Sequence, residues 1–232
     1  MNRLNDKIWD KNGKIIPEVR RKLLIISKKI TEEISDLVNV EHIYFTGSLA
    51  TYNWTPTSDI DLHIIVEIIN KECEKTSQDH FDLISKLFNN QHNIFIKGYK
   101  VEVNIKTFEN LLKNKSVYDL IEDEWIETPK KSTKDFSDPN VVKMSKHYQQ
   151  KIDDLIKFNR SSEEAKSLKK EIKNLRVSGL ESEDGEYSEG NLTFKVLRNS
   201  GYLGKLFTYY NNLEDKNLSL ENFKFKRYFN TF

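Results

Sequence analysis

The chain has 232 residues, enough to bury a sizeable core in one large domain or two modest ones. It is 37% hydrophobic and 31% charged, with 37 basic residues against 36 acidic ones and a net charge of +1. That balance excludes a disordered chain and gives no global pull toward nucleic acid, so any polyanion contact has to come from a local patch.

The single cysteine excludes an internal disulfide and a Cys-ligated zinc site. The Met1–Lys7 start lacks the apolar run of a signal peptide, and nothing approaches the roughly 20 apolar residues of a membrane helix. The expected location is therefore cytoplasmic, with no membrane partner.

Residues 1–16 read as an irregular lead-in. Pro17 suits the first turn of a helix, and Leu23, Leu24, Ile26, Ile30, Ile34 and Leu37 recur at helical spacing as far as Val38. Strands are expected at about 41–46 and 60–67, then a helix over 74–90 with Phe81, Leu83, Ile84, Leu87 and Phe88 on its buried side. Ile94–Ile96 and Val101–Ile105 read as short strands around a Lys97-Gly98-Tyr99 turn.

A polar stretch, Glu127–Asp135, reads as a linker between a core domain at 1–130 and a helical domain at 131–232. Helices are expected over 140–159, 162–178 and 189–200. Gly179 would be a left-handed cap and Ser188 an N-cap after an acidic loop, 181–188. The tail, Phe223–Phe229, is aromatic and basic. The fold class is α+β (α/β): a small mixed sheet with helices, followed by an all-helical region.

The chemistry concentrates between Thr46 and Val66. An apolar strand runs into Gly47-Ser48, and a second strand opens with Asp59-Ile60-Asp61. Side chains alternate along a strand, so Asp59 and Asp61 point the same way while Ile60, Leu62, Ile64 and Val66 face a core. Two neighbouring carboxylates repel unless a cation lies between them. An oxygen-seeking divalent ion fits, magnesium first and manganese as its substitute. The Gly47-Ser48 turn offers backbone N–H groups and a hydroxyl to a phosphate. A phosphate cradle beside metal-binding carboxylates describes a nucleotide-using site.

A two-metal phosphoryl-transfer site needs a third acid, and Glu102 is the candidate. Val101, Val103 and Ile105 take one face of its strand, and Glu102 and Asn104 take the other. The competing reading of Glu102 is a solvated residue on an edge strand; the company of Gly47-Ser48 and Asp59-x-Asp61 favours catalysis. His63 shares their face, and a strand histidine with a satisfied hydrogen bond is the favoured reading of it.

Strand, Gly47-Ser48, Asp59-x-Asp61 and a later strand acid at Glu102 together resemble the DNA polymerase beta-like nucleotidyltransferase superfamily over about residues 40–107. The longer wording is similar to small predicted nucleotidyltransferases of tailed phages and related bacteria, which would put the protein in a host cytoplasm. The segments that carry it are Gly47–Trp54, Val117–Leu120 with Asp123–Ile126, and Gly185–Ser188 with Asn191–Arg198.

The resemblance implies that Gly47 and Ser48 hold the β- and γ-phosphates of a nucleoside triphosphate, ATP among the options. Asp59, Asp61 and Glu102 would bind two Mg2+ ions, and an acceptor hydroxyl would attack the α-phosphate and release pyrophosphate. It also implies that the helical region closes the nucleotide cleft. There Lys195 and Arg198, three residues apart among apolar neighbours, are the preferred phosphate contacts; Lys169, Lys170, Lys173 and Arg176 form a second basic stretch, which reads residue by residue as a solvated face. Tyr118 stays open as a base-stacking residue, and Trp125 reads as core.

The acceptor could be RNA, a small molecule or a protein, and the oligomeric state is not encoded legibly. The alternative is a catalytically inactive nucleotide- or RNA-binding module of the same fold.

Overall fold

Period-two alternation builds the two central strands of the computed structural model, which describes residues 3–69, 74–107, 116–132 and 134–219. The chain divides into two compact units, Met1–Thr133 and Lys134–Phe232. In the first, α1 (Pro17–Glu32) leads into β1 (Val38–Thr46), β2 (Ile60–Ile68), α2 (Glu74–Gln91), β3 (Phe95–Ile96), β4 (Tyr99–Thr107), β5 (Val117–Asp119) and β6 (Glu124–Glu127). The six strands form one mixed sheet in the order β3-β4-β2-β1-β5-β6. Among the described residues only β2 and β4 pair in parallel, and α2 lies between them in the chain.

One face of the sheet carries the main core: Ile43, Phe45, Ile60, Leu62, Ile64, Val101, Val103 and Ile105, packed with Val19, Leu23, Ile26 and Ile30 of α1 and Phe81 and Phe88 of α2. The first helix stops at Glu32, short of the expected Val38, because Val38 is the first residue of β1 and pairs with Ile68 of β2. The lead-in is held more firmly than its composition suggests. Ile8 and Trp9 are buried, Trp9 pairs with Ile15 in a β-bridge, and the Trp9 indole N–H donates to the Leu49 carbonyl at 2.7 Å.

The outer edge of β4 is protected in an unusual way. β3 pairs with Tyr99 and Lys100, and the Ile94 carbonyl just before it accepts from Val101 N–H at 2.9 Å. Beyond that, side chains of α2 take the place of a neighbouring strand. Asn89 bonds both the N–H and the carbonyl of Val103, at 2.9 and 2.8 Å. Ser85 accepts from Ile105 N–H at 2.9 Å, and Gln78 accepts from Thr107 N–H at 3.1 Å while donating to the Ile105 carbonyl at 3.2 Å. Spacings of 7 and 4 residues keep these three on one side of the helix, and an open strand edge is thereby closed.

The second unit consists of α3 (Pro139–Lys157), α4 (Ser162–Glu181), α5 (Glu189–Asn199) and α6 (Tyr202–Leu218). Its caps are written in the sequence: Asp138 accepts from Asn140 N–H, Ser161 and Glu164 form a reciprocal capping box, and Ser188 accepts from Asn191 N–H. Ile152, Ala165, Ile172, Leu197 and Leu206 form its core.

Gly179 is not the expected left-handed cap. It lies inside α4, where a Cβ would press on the Ser188 hydroxyl and come 3.0 Å from the Asn191 nitrogen, so the glycine serves close packing rather than a turn. The fourth helix, α6, follows Gly201 at φ 79 and had no counterpart in the expected elements. The basic aromatic tail falls outside the described residues.

Asn89→Ala removes two bonds at once and leaves the backbone of Val103 without partners. It should lower stability by about 1–3 kcal/mol, read as a fall in the urea midpoint, whereas Asn90→Ala on the exposed side should change it by less than about 0.5 kcal/mol.

Candidate active site

The face of the sheet opposite the main core is polar at one end. Its rows follow from register: Thr46 pairs with Asp61 and Asp61 with Glu102, while Tyr44 pairs with His63 and His63 with Asn104. Because paired residues share a face, Asp61 and Glu102 stand side by side on adjacent parallel strands. Asp59 lies just before β2, two residues ahead of Asp61. All three acids are partly buried. Among the described residues, no three His, Cys, Asp or Glu side chains close into a ready-made ion cage.

The turn ahead of them is tightly specified. Gly47 has φ 76 and ψ −166, a region that essentially only glycine occupies. A Cβ there would overlap the Asp61 carboxylate and lie 2.6 Å from its Cγ. The carboxylate of Asp61 therefore rests directly against the backbone of the turn. Ser48 opens a short 3-10 turn, Ser48–Ala50, and its hydroxyl donates to the Ser58 hydroxyl at 2.8 Å, while Ser58 accepts from Thr55 N–H at 2.9 Å. The ends of the loop are thus tied together immediately before Asp59. The Ser48 hydroxyl, expected to be offered outward, has its hydrogen committed to Ser58.

His63, one row deeper, is 7% exposed, and its Nδ1 has no hydrogen-bond partner among the described residues, unlike the satisfied histidine expected. Burial first, and the Lys106 charge second, push its pKa down to about 4, so the ring is neutral near pH 7. The Thr46 hydroxyl on the neighbouring strand is likewise buried without a partner. Across the same face, buried Asp119 accepts from Ile121 and Glu122 N–H groups and lies 2.9 Å from His42 Nδ1. Burial and then Asp119 raise the pKa of Tyr44. Alternation along β2 already put His63 on this face; Asp119 lies on β5, whose three residues are all buried and show no alternation.

Tyr118 is fully buried, its hydroxyl donates to Asp123 at 2.9 Å, and its ring meets Trp9 and Trp125 edge-on, so it is core and no stacking platform. Trp125 stacks on Trp9, as a core residue should. Lys195 and Arg198 lie in the second unit, on α5. Lys195 is largely buried, 3.9 Å from the Glu186 carboxylate.

Gly47→Ala should cost about 1–3 kcal/mol of stability from backbone strain alone. It should also displace the Asp61 carboxylate, and a lower melting temperature than that of the wild type is the expected readout.

A family model described as a nucleotidyltransferase domain matches residues 27–181, more than half of the 232-residue chain. Searches of the curated proteins and of the solved structures each returned no match. Among the described residues, no helix is long and apolar enough to cross a membrane. The family match runs through the glycine turn, both aspartates and the paired strand bearing Glu102, and the chain belongs to the nucleotidyltransferase domain family of the polymerase beta-like superfamily.

Proposed function

We propose that the protein transfers a nucleoside monophosphate from a nucleoside triphosphate to an acceptor hydroxyl, using Asp59, Asp61 and Glu102 as its catalytic and metal-binding acids. The observation that carries this reading is the register that sets Asp61 beside Glu102, with the Asp61 carboxylate seated on Gly47. The donor set fits magnesium or manganese, since it is all carboxylate and grouped at the end of two adjacent strands. When bound, the ions stabilise charge on the entering and leaving oxygens of an in-line displacement.

The residues of the chain then divide the work. Backbone groups of the Gly47-Ser48 turn hold the β- and γ-phosphates, and the loop tie between Ser48 and Ser58 keeps that turn in place. Glu102 draws the proton from the acceptor hydroxyl as its oxygen bonds to the α-phosphorus. The bond from the α-phosphorus to the bridging oxygen breaks, and pyrophosphate departs. Lys195 and Arg198 on α5 are the side chains we assign to the triphosphate's negative charge.

A catalytically inactive binding module is the other reading, and one assay separates the two. Purified protein, Mg2+ or Mn2+, each α-labelled triphosphate and a cell extract should yield a labelled product and pyrophosphate. Asp59→Asn and Asp61→Asn should each reduce turnover at least about 100-fold, a loss of some 2.7 kcal/mol in barrier lowering, with melting curves as cooperative as those of the wild type. Absence of label from all four nucleotides in wild type would leave the inactive module ahead.

A further inference from the structure

The second unit carries a surface that the catalytic residues do not explain. On α4, Lys166, Lys169, Lys170, Lys173 and Arg176 fall within roughly 120° of one helix face, over about 15 Å of its length. Three of the four acids of that helix have other partners, although Glu163 also feels the charge of Lys166. Glu164 closes the capping box, and Glu163 is held by the helix N-terminus, its carboxyl below the usual range through hydrogen bonds to its own backbone and to Ser161. Glu171 turns to α3, where it accepts from Tyr148 and Lys151 at 3.0 and 2.8 Å.

Aromatic rings lie against the same cations. Lys169 Nζ sits 3.8 Å from the Tyr210 ring centre and 5.1 Å from that of Phe207, and the Arg176 guanidinium sits 4.5 Å from that of Phe194. Phe207 is 43% exposed, so one ring of the set presents itself to solvent.

A solvated lysine face needs no rings. A peptide-binding groove would need an apolar floor, but this surface is a line of charge punctuated by rings. Cations that follow a backbone, with aromatic faces beside them, are what a single-stranded nucleic acid requires: the charges neutralise phosphates and the rings stack on bases whatever their sequence. The near-neutral net charge of the chain is no objection, because five cations are gathered on one face.

We propose that the α4–α6 stripe of Lys166, Lys169, Lys170, Lys173 and Arg176 with Phe207 binds single-stranded nucleic acid, and that such a strand is the acceptor class of the enzyme. The second half rests on the nucleotidyl-transfer reading. The binding half does not, since it needs neither metal nor turnover.

The test is fluorescence anisotropy of the full chain with a labelled RNA or DNA single strand of about 16 nucleotides, the upper end of typical single-strand sites. Linear polyphosphate and a duplex of the same sequence serve as competitors. Wild type should bind the single strand at low salt and weaken with added salt, with a log–log slope of up to about −3.5 for five neutralised phosphates.

The exposed triple variant Lys166→Gln/Lys170→Gln/Lys173→Gln should bind at least tenfold more weakly, its slope shallower by about 2. Phe207→Ala should weaken single-strand binding at least fivefold while leaving polyphosphate competition unchanged. No binding by wild type, unchanged affinity in the triple variant, or indifference of the single strand to Phe207→Ala overturns the proposal. Any of these results with label transfer intact leaves the enzyme reading standing with a different acceptor. Binding retained without label transfer overturns only the acceptor role.

Discussion

The parallel pairing of β2 with β4 is the constraint from which the candidate site follows. Asp61 opposite Glu102 puts two carboxylates side by side on one face, while Leu62 and Val103, one residue on, take the other face into the core. A slip of one residue in either strand would send the acids into the apolar layer and the apolar side chains into the site. Burying that layer therefore enforces the register, and the register arranges the acids. Hydrophobic packing and electrostatic arrangement are thus two consequences of one alignment.

That alignment is secured from both sides. Toward β1, Thr46 faces Asp61, and Gly47 continues from it into a turn with no room for a side chain beneath the carboxylate. Beyond β4, α2 supplies hydrogen-bonding side chains where a further strand would otherwise be required. This helix thus lies between β2 and β4 in sequence, packs Phe81 and Phe88 into the core, and closes the edge of the strand that bears Glu102. The ion pair of Lys106 with Asp82 at 2.8 Å adds to the same junction; it is half-exposed and contributes little by comparison.

Much of this was legible before any coordinates. Strict alternation in Val101–Ile105 placed Glu102 and Asn104 opposite Val101, Val103 and Ile105, and Ser188 announced the start of α5. What could not be read depends on distant partners. The strand Val117–Asp119 is buried at all three positions and so shows no alternation. The lead-in looks irregular yet is pinned through Trp9 to the loop after Gly47. Gly179 has the look of a helix stop, but the requirement it meets is set by Ser188 and Asn191, which approach it from another helix. The roles of Asn89, Ser85 and Gln78 were invisible because polar residues on an amphipathic helix normally face water. For the site, alternation alone gives the shared face of the acids and of His63; the seat of Asp61 on Gly47 and the pairing of His63 with Tyr44 and of Tyr44 with Asp119 depend on partners that only the fold supplies.

The central claim is that Asp61 and Glu102, fixed by strand pairing, hold a divalent cation together. Counting bound Mn2+ by electron paramagnetic resonance in the presence of a non-hydrolysable triphosphate tests it most directly. The account predicts saturable Mn2+ binding in wild type that Glu102→Gln weakens and Asp61→Asn abolishes, with both variants folded. Equal Mn2+ binding in all three proteins would contradict it.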